Sequence, residues 1–145
     1  MTMRRIEQIV VHCAATRPSL DVGVAEVRAW HRQQGWSDVG YHWVVRRDGT
    51  VEAGRREELI GAHVYGHNQH TVGVCLIGGL DSTGEPAPEF TPEQFASLRT
   101  LLTEILARYD LPDEAVLGHR DFPGVSKACP SFDVRRWWRT QEVRA

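Results

Sequence analysis

The run Thr71–Ile77, TVGVCLI, decides the fold: seven residues without a charge, closed by the glycine pair Gly78–Gly79, read as a buried central strand. The residues before it, from Gly61, form a polar loop punctuated by glycine. Working outward toward the N-terminus, Ile6–Cys13, IEQIVVHC, holds a β-branched run ending in His12 and reads as a second buried strand. A third strand is expected over Tyr41–Arg46, YHWVVR, with Asp48–Gly49 turning it into Thr50–Ala53 as a hairpin. Between the first two of these, Val24, Val27 and Trp30 or His31 recur at helical spacing over Val24–Gln34, and Gly35 stops the helix.

On the C-terminal side, Ser82–Pro88 reads as a loop, and Thr91-Pro92-Glu93-Gln94 is a capping box with proline at the first helical position, so the orphan amides of that turn gain partners. Phe95, Leu98, Leu102, Ile105 and Tyr109 then step by three and four residues, placing one apolar face against a sheet, and Pro112 stops the helix. Ala115–Gly118 is a short strand delivering His119, and Asp133–Arg139 is a last helix with Trp137 or Trp138 folded onto the body. The expected architecture is α/β, one domain over residues 1–145, with a central mixed sheet and helices packed on it.

A chain of 145 residues buries about two-thirds of the surface its unfolded form exposes, enough for a core without disulfides. A net charge of −2 with 25% charged residues makes nucleic acid an unfavoured partner. Three cysteines cannot all pair within one chain, and the first residues hold too short an apolar run for a signal peptide, so synthesis in a reducing cytoplasm is expected. No run approaches the roughly 18–20 apolar residues of a membrane helix, so no membrane insertion is expected.

The chemistry-bearing stretch is Gly118–Pro130, GHRDFPGVSKACP, with His119, Lys127 and Cys129 close together. Imidazole and thiolate are good zinc ligands, and His12 falls near the carboxyl end of its strand, where α/β sheets commonly carry their sites. If His12, His119 and Cys129 converge they make three ligands and leave one tetrahedral position for water, the pattern of a catalytic zinc site. From spacing alone, a hydrogen-bonded core histidine and a small buried cysteine account for the same residues.

The ordered motifs VVHCAAT, GWSDVGYHWVVRRDGTVEAGR, GAHVYGHNQHTVGVCLIGG and GHRDFPGVSKACPSFD, spanning about Ile6 to Trp137, closely resemble the zinc-dependent N-acetylmuramoyl-L-alanine amidases of the bacteriophage T7 lysozyme type, which share their fold with peptidoglycan recognition proteins. The resemblance implies one Zn²⁺ per chain bound by His12, His119 and Cys129, with Tyr41 and Lys127 as catalytic polar residues and His63 and Asn68 bordering a groove for the muropeptide. It implies a peptidoglycan amidase acting on the cell wall after release, in a phage or prophage endolysin setting, and a monomer. The rival role is a non-catalytic recognition module or a regulator; the cysteine ligand argues against a pure binding module, since inactive recognition proteins typically lack a ligand there. Zinc lowers the pKa of bound water to about 7, and Lys127 beside it would stabilise the oxyanion. No carboxylate declares itself as the base; Glu26 and Asp121 have no specific claim, and Tyr41 is the leading candidate for the proton route.

Other residues have blander roles. His63, His67 and His70 lie three and four apart, but Gly61 and Gly66 argue against the helix that would align them for a second metal. Cys13 and Cys75 read as inert buried thiols, Trp43 as core, Trp30 and Trp36 as either core or groove, and Arg120 and Asp121 as either outer partners of the metal-bound histidine or structural residues.

Overall fold

The computed structural model describes residues 4–125 and 127–145. Strand β4 (Thr71–Leu76) is buried at all six positions and lies in the middle of a five-stranded sheet. β1 (Gln8–Cys13) and β2 (Trp43–Val45) flank it in parallel, β5 (Val116–Gly118) extends the far side of β1 in parallel, and β3 (Val51–Ala53) closes the hairpin with β2 antiparallel. The sheet is therefore mixed, as expected.

Because successive side chains point to opposite faces, each buried strand feeds two cores. Ile9, Val11, Val72, Val74, Leu76 and Val116 pack under helix α2 (Pro92–Tyr109), whose Leu98, Leu101, Leu102, Ile105 and Leu106 form its buried stripe. Phe132 and Trp137, the latter on the short helix α3 (Val134–Thr140), complete that side. Val44, Cys75 and Ile77 face the other way, toward Val27 of helix α1 (Val24–Gln33).

The capping box forms: Gln94 N–H donates to Thr91 Oγ1 (3.1 Å), and Thr91 N–H donates to Gln94 Oε1 (3.0 Å). Gln94 is wholly buried, and its Nε2 donates to the carbonyls of Ile77 (2.7 Å) and Val45 (3.2 Å), at the carboxyl ends of β4 and β2. Its Oε1 also accepts from Arg47 Nη1 (3.1 Å). α2 stops at a left-handed Asp110 (φ 53°), two residues before Pro112.

β2 is shorter than the expected Tyr41–Arg46 for a specific reason. His42 N–H donates to Gly73 O, but the Gly73 N–H is taken by the His42 ring at Nδ1 (3.0 Å), so a side chain takes the place of a backbone acceptor at the start of the strand.

Candidate active site

Alternation along β1 puts Ile9 and Val11 under α2 and turns His12 to the opposite face, where it is buried at 1% exposure. β5 runs beside β1 in the register Val11↔Gly118, so the residue that leaves β5, His119, arrives next to His12; their ring centroids are 4.5 Å apart. Asp121 Oδ2 accepts the Gly118 N–H (2.8 Å) and so shapes the 3-10 turn that presents His119. Cys129 returns to the same point: Cys13 N–H donates to its sulfur (3.2 Å), and Arg120 N–H donates to its carbonyl (3.0 Å).

The ligand atoms of His12, His119 and Cys129 all lie within 4.8 Å of one another, and this is the group of such residues found among those described. Donors bound tetrahedrally at roughly 2.0–2.3 Å stand about 3.3–3.6 Å apart, so small side-chain movements would close the set around one ion. Two nitrogens and a sulfur suit a borderline-soft cation, and three protein ligands leave a fourth position open. The residues can hold a metal.

Their protonation fits ligation. Burial, followed by the charges of His63 and His119, holds His12 well below the usual histidine value. Burial, followed by the Lys127 ammonium, lowers His119. Both imidazoles are therefore neutral with a lone pair to give. The Cys129 thiol is pushed up by its hydrogen bond with Cys13 and by burial, so it keeps its proton until a cation replaces it. Cys75 is fully buried and likewise raised, whereas Cys13 is pulled down by its bond with Cys129.

Tyr41 packs against His12 at 5.0 Å between centroids and against His31 at 5.5 Å. Burial, then the neighbouring Cys75, Cys129 and Cys13, raises its phenol well above 10, making it a proton donor. Lys127 is exposed and, with Trp36, His63, Tyr65, Asn68 and His119, lines a groove of about 640 Å³. Asn68 Oδ1 accepts from the His63 and Val64 amides (2.9 Å each), pinning the loop that forms one wall. His67 packs against Phe122, and His70 donates to the Arg5 carbonyl, so the two diverge from His63.

Sequence reasoning missed two histidines and one contact. His31 Nδ1 accepts the Gly40 N–H (2.8 Å), and the His42 ring bridges Gly73 and the Leu59 carbonyl. His63, read only as groove wall, also brings Nδ1 to 2.9 Å from His12 Nε2.

The model of the family described as N-acetylmuramoyl-L-alanine amidase matches residues 2–132. An endolysin of Klebsiella phage KP32 is 52% identical over 136 residues, covering 94% of this chain and 87% of the relative. An endolysin of Escherichia phage T7 is 52% identical over 138 residues, with 94% and 88% covered. Among solved structures, the N-acetylmuramoyl-L-alanine amidase LysC from Clostridium intestinale URNW superposes with a TM-score of 0.73 at 28% identity, over 88% of this chain and 77% of that one. With its fold and nearly its whole length matched in this way, the chain belongs to the N-acetylmuramoyl-L-alanine amidase family.

Proposed function

We propose that this amidase is a zinc enzyme of the endolysin type, hydrolysing the amide between the lactyl group of N-acetylmuramic acid and the L-alanine of the stem peptide. The observation that carries the reading is the convergence of His12, from β1, with His119 and Cys129, from the stretch after β5, to within 4.8 Å of one another, with His119 opening onto the groove. A zinc ion bound there would supply Lewis acidity, bringing the pKa of water to about 7 and polarising the scissile carbonyl.

The chain's own groups would do the rest. Lys127, beside His119 in the groove, offers a cation where the carbonyl oxygen gathers negative charge during attack. Tyr41 holds a neutral phenol against His12 and donates a hydrogen bond to the reacting oxygen; its raised pKa suits donation better than proton abstraction. The loop pinned by Asn68 forms the wall on which the muropeptide rests, with Trp36 and Tyr65 as apolar lips. Endolysins at 52% identity support a role in opening the bacterial wall, and among the described residues no helix is long and apolar enough to cross a membrane.

The test is product formation. Purified protein is incubated with peptidoglycan, with and without a chelator, and new L-alanine amino termini are counted. Release that stops with the chelator and returns with zinc is expected; no release with zinc present sinks the reading and favours a binding module of the same fold.

A further inference from the structure

His63 sits at the end of a hydrogen-bonded chain whose direction can be read from its donors. Thr71 Oγ1 gives its one proton to the His67 carbonyl (2.8 Å). Toward His63 Nε2, 3.3 Å away, the same hydroxyl can only accept, so Nε2 carries the imidazole proton and Nδ1 a lone pair. That lone pair faces His12 Nε2 at 2.9 Å. His12 Nε2 is then the protonated nitrogen, and His12 Nδ1 is left with the lone pair a cation needs.

The ring is held where this requires. β4 runs beneath it, and a Cβ at Gly73 would stand 2.6 Å from His63 Cγ, 2.7 Å from Cδ2 and 2.8 Å from Nδ1. Gly73 is thus the space the ring occupies, in a strand otherwise made of larger buried residues apart from this one position. Asn68 fixes the His63 backbone, and the His42 ring stands edge-on at 5.8 Å on another side. Neither ring nitrogen of His63 is left over for a ligand in the groove.

We propose that His63 is a positioning residue: it holds His12 as the Nε2–H tautomer, makes Nδ1 the metal-binding nitrogen, and acts on the reaction through His12. This rests on the zinc reading above. Outer partners of this kind are typically worth about 10–100-fold in metal affinity.

Two variants separate positioning from substrate contact. His63→Leu removes the acceptor; His63→Asn can place Oδ1 near the site of Nδ1 and restore it. Zinc affinity is measured by competition with a chelator, histidine ring protons are assigned by long-range ¹H–¹⁵N NMR on the zinc-loaded wild type, and kcat and KM are taken at saturating zinc. The expected results are a proton on His12 Nε2, zinc binding about 10–100-fold weaker in His63→Leu with KM little changed, and substantial recovery in His63→Asn. A proton on His12 Nδ1, wild-type zinc affinity in His63→Leu, or a defect confined to KM overturns the proposal. The ring protons and zinc affinity need no turnover. A chain with the expected tautomer and affinity loss that releases no L-alanine termini therefore overturns only the amidase reading, and an active chain whose His63→Leu variant binds zinc normally overturns only the positioning role.

Discussion

Gly73→Ala should disturb the site without removing any of its side chains. Gly73 has no positive φ, so alanine is allowed by the backbone, and the whole effect comes from the added methyl. That methyl would lie 2.6–2.8 Å from three atoms of the His63 ring, against 3.4 Å for the start of ordinary contact. The ring must retreat by about 0.8 Å at Cγ, and it cannot do so by a cheap swing of a free end, because both nitrogens are bonded. A shift of that size is enough to stretch the 2.9 Å bond to His12 beyond hydrogen-bond range. Overpacking of this kind costs about 1–3 kcal/mol, which for a domain of this size lowers Tm by several degrees. Zinc affinity should fall by about 10–100-fold. Calorimetry and chelator competition on the purified variant measure both. A variant that melts and binds zinc like the wild type would show that the ring moves freely, and the argument from Gly73 would fail.

Lys127→Ala removes an exposed side chain, so folding and zinc content should be unchanged while kcat falls by about 10²–10³; zinc lost from this variant would mean that Lys127 supports the metal instead. Cys129→Ser should lose zinc on dialysis and activity with it, and metal analysis showing a full equivalent retained would remove Cys129 from the ligand set. The buried His42 has its pKa lowered by burial to about 4 in the folded chain, below its unfolded value near 6.5. The unfolded chain therefore takes the proton first: this contribution is intact above about pH 6.5 and is lost as pH falls to about 4, about 3 kcal/mol in all. Urea unfolding at a series of pH values checks this, and a flat stability over that window would refute it.

Much of the fold was legible because its signals are local. The apolar run of β4, the capping box of α2 and the Asp48–Gly49 turn each depend on neighbours a few residues away, and each appears. The start of β2 was not legible, since the bond that cuts it short is donated by the Gly73 N–H, 31 residues on, to the His42 ring. His12, His119 and Cys129, which the resemblance offers as metal ligands, stand close enough together to hold a cation. The His12–His63 contact joins residues 51 apart, on a strand and in a loop, and only the facing of two elements across the sheet reveals it. Periodicity tells which side of a strand is buried; it does not tell which loop folds over that side.

Gln94 uses all of its hydrogen-bonding capacity at once, two donors to β2 and β4 and an acceptor shared by Thr91 and Arg47. The first turn of α2 and the carboxyl end of the sheet that carries His12 are thereby riveted by one amide, so neither can fray alone. Amide exchange at Ile77 and in the first turn of α2 should then proceed through a single opening event at a common rate, and the metal site would inherit the rigidity of the whole domain.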